Sequence, residues 1–197
     1  MPGPRRTQQE RSTETRARLL DAAFGCLLDS GYGATTVGAV QQRAGVARGT
    51  LLHHFPTRSS LMAGVVEDVV ERRLELVAAP GATTGDGPQR TWDEIVDLVW
   101  RELQGPAFAV ALELWVAART DDALREALLP LQEKIFRTVH RGVTSLVGED
   151  HPRAPLLVQF TIDLLTGSHL AGILQPRAGT DLVVEAWKQA LRTLAGD

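Results

Sequence analysis

A single cysteine, Cys26, stands in this chain of 197 residues, so no disulfide can close within it. Its neighbours Phe24, Leu27 and Leu28 suit a small buried hydrophobe better than a nucleophile. No apolar run approaches the roughly 18 residues of a membrane helix. The opening MPGPRRTQQER has basic residues without an apolar segment behind them, so neither anchoring nor export is signalled and a cytoplasmic location is expected. The glycine-rich segment 79–88, APGATTGDGP, lacks the Gly-Lys-Ser/Thr ending of a phosphate loop and follows no strand, which leaves a flexible connection. No stretch alternates as a strand should, and no nucleophile elbow or metal-spaced cluster stands out. His53 and His54 are adjacent, about 100° apart on a helix, and cannot close on one ion as an i, i+4 pair could. No metal, cofactor or catalytic residue is assigned.

What the chain does have is an ordinary globular composition, 44% hydrophobic, and an uneven charge. The net charge is −3, yet residues 1–60 hold eight arginines against Glu10, Glu14, Asp21 and Asp29, a balance of +4 that leaves −7 for the remainder. An electropositive first third on an acidic body is the footprint of a protein that meets phosphates with one end.

That third contains two short helical patterns joined at a glycine. Thr36 can cap a helix carrying Val37, Val40 and Ala44 on one face, with Gly45 as its left-handed stop and Val46 as a corner plug. A second helix runs from about Arg48 to Phe55, with Leu51 and Phe55 facing inward and Arg48, Gly49, Leu52 and His53 outward, until Pro56 stops it. A helix from Thr13 to Ser30, ended by Gly31 and Gly33, supplies the third member of the bundle. Residues 1–12 are expected to be a mobile basic arm, 13–59 the helix-turn-helix domain, and 60–197 a helical body. A connecting helix from Ser60 to Val77, capped by Ser59 or Thr57, leads into that body.

The wording TTV, AGV, RGTL and HHFPTRSSL at this spacing resembles the DNA-binding domain of the tetracycline-repressor (TetR) family of bacterial regulators. The resemblance implies an all-α protein, with an N-terminal three-helix DNA-binding domain and a C-terminal ligand-binding and dimerisation domain. Carried onto matching positions, it puts Arg48, Gly49, Thr50 and His53 on the base-reading surface, with Thr36, His54 and Arg58 nearer the phosphates. Arg48 has the planar fork that pairs with guanine O6 and N7, and Thr50 can meet a base edge or a backbone oxygen. Arg58 replaces the family's usual lysine. Leu52 replaces a tyrosine and offers only apolar contact, for instance to a thymine methyl; Ala47 replaces a serine or threonine cap; Gln41 replaces a small residue.

Beyond residue 90 the pattern is helical over Thr91–Leu103, Pro106–Ala118, Asp121–Val147 with a kink or break at Pro130, Pro155–Leu174 and Thr180–Leu194. Trp100, Phe108, Leu112, Trp115, Phe136, His140, Phe160 and His169 are candidates for an apolar ligand pocket. Stripes of Leu156, Phe160 and Leu164, and of Leu182, Ala186, Ala190 and Leu194, suit a four-helix interface between two chains, the homodimer contact that the resemblance also implies. The leading expectation is a homodimeric repressor on a palindromic operator in double-stranded DNA, released by a small apolar ligand. A ligand-binding or interaction protein without specific DNA binding, and an all-helical enzyme, remain as alternatives.

Overall fold

The computed structural model describes residues 7–78, 91–147, 153–173 and 179–196, and all regular structure among them is α-helical. The helices are α1 (Gln8–Ala34), α2 (Val37–Ala44), α3 (Arg48–His54), α4 (Arg58–Ala78), α5 (Trp92–Leu103), α6 (Pro106–Ala117), α7 (Asp122–Val147), α8 (Ala154–Gly172) and α9 (Thr180–Ala195). None is long and apolar enough to cross a membrane among the described residues. The expected connection at 79–88 lies outside them.

Helix α1 starts at Gln8, five residues before the expected Thr13, which shortens the expected arm. The cause is a capping box one turn upstream: Glu10 N–H donates to Thr7 Oγ1 at 3.2 Å and Thr7 N–H donates to Glu10 Oε2 at 2.7 Å. At its other end the helix breaks at Gly31 (φ 73°, ψ 176°) and resumes to Ala34, rather than ending at the two glycines. Helix α2 is built as its sequence indicates. Thr36 Oγ1 accepts from Ala39 N–H at 3.1 Å, and Gly45 at φ 63° closes the helix, with Val46 N–H donating to the Gln41 carbonyl at 3.3 Å. Thr57 proves to be the cap of α4, exchanging hydrogen bonds with Ser60 at 3.0 and 3.1 Å. Helix α7 runs past Pro130 as one α-helix, so of the kink or break expected there the break does not occur.

The chain divides into two compact units, Met1–Arg72 with Val110–Gln132, and Arg73–Ala109 with Glu133–Asp197. This division cuts through α4, α6 and α7, whereas the sequence suggested a boundary at residue 59. In the first unit α1 packs on α2 and α2 on α3. Its core includes Leu19, Leu20, Ala23, Leu27, Val40, Leu51, Phe55, Leu61, Met62 and Val65. In the second, α5, α8 and α9 enclose Trp92, Ile95, Val96, Val99, Leu103, Leu157, Val158, Leu165, Val184 and Leu191. Two ion-pair groups tie α9 to α5 at the rim: Arg192 grips both Asp93 oxygens at 2.9 and 2.5 Å, and Lys188 Nζ lies 2.7 Å from Asp97 and 2.8 Å from Glu185. The exposed Arg192 pair is worth at most about 1 kcal/mol, whereas Lys188 is itself buried beside the apolar core of this unit. Leu191 is fully buried. Leu191→Ala is expected to destabilise the protein by about 2–5 kcal/mol in urea titration followed by circular dichroism.

Candidate nucleic-acid interface

The geometry of α3 follows from having only two apolar anchors. Leu51 is fully buried and Phe55, just past the helix end, is 4% exposed, so the inward arc is used up by these two. The remaining arc is left to solvent: Arg48, Gly49, Thr50, Leu52 and His53 are all exposed. A Cβ at Gly49 would meet nothing within 4 Å, so that position is a shallow point on the surface. His54 is half-buried, its ring 5.6 Å from that of His53 and edge-on to it. Burial, with the nearby His53 and Arg16, holds its pKa below the usual 6.5. The neutral imidazole, a hydrogen-bonding group, is thereby favoured more than in a free histidine. Thr36 is exposed at the start of α2, where its hydroxyl caps the helix.

The arginines of this unit divide by what they touch. Arg18 donates to the Ala44 carbonyl at 2.6 Å, closing the end of α2. Arg43 pairs with Asp29 at 2.6 Å, and Arg16 lies over the Phe55 ring at 5.3 Å. Arg58, expected near phosphate, is half-buried and engaged with the protein itself: Nε donates to the Thr35 carbonyl at 2.9 Å, a terminal nitrogen donates to the Tyr32 carbonyl, and the guanidinium stacks 3.7 Å above the Tyr32 ring. Arg48 has no ion-pair partner among the described residues and stands in the open at the first turn of α3.

Sequence reading passed over Tyr32, the only tyrosine in the chain. Its hydroxyl donates to Asp121 Oδ2 at 2.5 Å and its N–H to Glu113 Oε1 at 2.6 Å. Burial and the Asp121 carboxylate push its pKa up to about 12, and the Tyr32 hydroxyl with the Leu124 N–H holds Asp121 below the usual carboxylate value. Its place directly after a glycine at the end of a helix was the available signal.

The pocket candidates fall in both compact units. Trp100 and Phe108 come together on His169, edge-on at 6.2 and 5.5 Å between ring centroids, within the second unit. Leu112 and Trp115 belong to the first unit, half-buried and 38% exposed respectively. Phe136 and Phe160 are about half exposed, at 53% and 47%, and the side chain of His140 lies outside the described residues.

Comparison with known proteins gives this arrangement a lineage. The family model "Bacterial regulatory proteins, tetR family" matches residues 19–65, which run from Leu19 in α1 to Val65 in α4. The chain is 32% identical over 167 residues to the uncharacterized HTH-type transcriptional regulator Rv2912c of Mycobacterium tuberculosis, covering 83% of this chain and 85% of that protein. It is 36% identical over 145 residues to the HTH-type transcriptional regulator CymR of Pseudomonas putida, covering 72% and 66%. Among solved structures, the multidrug binding protein EbrR complexed with ethidium shares the fold with a TM-score of 0.68 at 23% identity, over 91% of this chain and 98% of that one.

Ala47, at the N-cap of α3, supplies no side-chain hydrogen bond to the helix start although its backbone is extended as a cap requires (φ −70°, ψ 146°). Ala47→Ser is expected to stabilise the first unit by about 1 kcal/mol, read as a rise in thermal midpoint.

Proposed function

Because the chain belongs to the tetR family of bacterial regulatory proteins and is a helix-turn-helix transcriptional regulator, we propose that it is a repressor. As a homodimer it binds a pseudo-palindromic operator, and a small apolar ligand releases it. The observation that carries the DNA reading is the outward arc of α3, where Arg48, Gly49, Thr50, Leu52 and His53 lie exposed on a helix anchored only by Leu51 and Phe55. Arg48 reads guanine through its guanidinium. Gly49 lets the backbone come close, Leu52 meets a thymine methyl, and Thr50 and His53 add hydrogen bonds. Thr36 and His54 meet phosphate from the flanks.

The dimer is supported by the faces of α8 and α9. Leu156, Phe160 and Leu164 are exposed on α8, and Leu182, Ala186, Ala190 and Leu194 on α9, although the opposite faces of both helices fill the core of their unit. Two apolar faces side by side on adjacent helices suit burial against a second copy under a two-fold axis. Such a dimer presents two α3 helices to DNA about one helical turn, roughly 34–36 Å, apart, which is why the operator repeats as a palindrome. For the ligand, the aromatic walls of Trp100 and Phe108 around His169 combine apolar surface with one orienting polar group.

A duplex selected by the protein from a random-sequence library tests the DNA reading. The selected sequence is expected to be a pseudo-palindrome bound with steep salt dependence. Arg48→Ala is expected to weaken its binding by about 1–3 kcal/mol and to relax preference at one base pair per half-site, whereas equal loss on every sequence removes the base-reading role. Sedimentation tests the interface. Phe160→Glu, which sets a charge in the middle of the exposed α8 face, is expected to convert a dimer to monomers with helical content retained, and a dimer that persists places the contact elsewhere.

A further inference from the structure

The break in α1 leaves backbone groups outside the regular helix ladder, and side chains of Thr35 at its end, of α4 and of α6 take them up. Gly31 adopts φ 73°, so the Tyr32 N–H points away from the helix ladder and reaches Glu113 Oε1 on α6 at 2.6 Å. The approach is tight: a Cβ at Gly31 would lie 2.9 Å from the same Glu113 oxygen. The Gly31 carbonyl accepts from Thr35 Oγ1 at 2.8 Å. The Tyr32 and Thr35 carbonyls are both taken by Arg58, at the first turn of α4. One guanidinium thus spans the corner between the end of α1 and the start of α4, and the residue after that corner, Thr36, caps α2.

The same tyrosine extends the chain of contacts to α7. Its ring lies under Arg58, and its hydroxyl donates to Asp121 Oδ2, while Asp121 Oδ1 accepts from Leu124 N–H at 2.9 Å. Asp121 therefore caps α7 with one oxygen and holds Tyr32 with the other, a geometry in which neither contact can shift without the other. The groups facing Tyr32 are Arg58, Glu113 and Asp121, so guanidinium, ring and carboxyl groups alternate through the network.

We propose that Arg58 is a positioning residue and not a phosphate ligand: with Tyr32, Glu113 and Asp121 it forms a relay through which α6 and the start of α7 set the pose of α2 and α3 on DNA. The inference rests on the reading of the chain as a DNA binder, and goes beyond it by removing one assigned contact and naming the side chains of α6 and α7, within the same unit, that hold α2 and α3 in place. A cation at a phosphate needs charge alone and tolerates lysine. A cation that reaches two carbonyls and a ring face needs the planar fork, which lysine lacks.

Titrations of the selected duplex across a range of salt concentrations separate the two roles. Arg58→Lys and Arg58→Gln are both expected to weaken binding by about tenfold or more with the slope of log K against log salt unchanged. Tyr32→Phe and Asp121→Asn are expected to weaken it in the same direction and to be non-additive with Arg58→Lys. Wild-type affinity in Arg58→Lys together with a slope reduced by about 0.9 per lost contact in Arg58→Gln would overturn the proposal. So would unchanged affinity in both Tyr32→Phe and Asp121→Asn. Hydrogen exchange of the amides of residues 31–36 supplies a readout without DNA: Asp121→Asn is expected to speed their exchange, and unaltered protection sinks the relay even if no duplex is selected. Failure of the wild-type protein to select any duplex, with that exchange response present, counts instead against the DNA reading.

Discussion

A helix of seven residues cannot hold itself together in water, and the dependence of α3 on its two anchors governs the rest of the first unit. Leu51, with Phe55 one turn on at the helix end, is what anchors it in the core, His54 is half-buried, and Arg48, Gly49, Thr50, Leu52 and His53 are left to the surface. The cost of fixing so short an element is met by its neighbours. Helix α1 lays Leu19, Leu20, Ala23 and Leu27 into the same core, α2 adds Val40 and Ala44, and α4 adds Leu61, Met62 and Val65. Burying each of these large aliphatic side chains contributes on the order of 1.5–3 kcal/mol, against which a missing cap at Ala47 is a small loss. The outward arc is thereby free to be chosen for what it touches rather than for stability.

Charge in this unit is distributed on the same logic. The +4 of the first 60 residues reads from sequence as one electropositive surface, yet the structure assigns several of those arginines to internal tasks. Arg18 closes the end of α2, Arg43 is matched by Asp29, and Arg58 is spread over two carbonyls and a ring. Such contacts leave the net charge, and hence long-range attraction for DNA, almost unaltered, since a monopole is felt wherever its side chain is anchored. They do remove the freedom to form a directed hydrogen bond. One set of arginines is thus divided between side chains tied to the protein and Arg48, which stands exposed at the first turn of α3.

The elements fixed by local chemistry were legible in the sequence. Thr36 and Gly45 bound α2, Thr91 starts α5 with a capping box to Glu94, and the outward arc of α3 follows from the spacing of Leu51 and Phe55. The early start of α1 was missed because two prolines, a glycine and polar residues look like a tail, although Thr7 and Glu10 stand at capping-box spacing. At Pro130 sequence left a kink or a break open, and α7 continues through it as one helix from Asp122 to Val147. What periodicity could not give was partnership. Tyr32 and Asp121 are 89 residues apart, so nothing local announces their bond, and Arg58 looks the same in sequence whether it meets a phosphate or a carbonyl. The pocket candidates meet the same limit: an apolar face tells that a residue will be covered, not by which neighbour, and Trp100 and Trp115 fall in different units.

The stripes on α8 and α9 show what an amphipathic pattern means when both faces are apolar. A helix whose inward face carries Leu157, Val158 and Leu165 already contributes to the core of its unit, and the further row of Leu156, Phe160 and Leu164 is left exposed among the described residues. On α9 the outward row alternates large and small, with Leu182 at 75% and Leu194 at 42% exposure on either side of Ala186 and Ala190. Small residues in mid-row let two helices approach closely while the large ones at the ends interlock, a relief that favours a partner of the same shape turned end for end. A two-fold axis there would also repeat the α3 surface, so the excess apolar surface at one end of the sequence and the reading arc at the other become parts of one requirement.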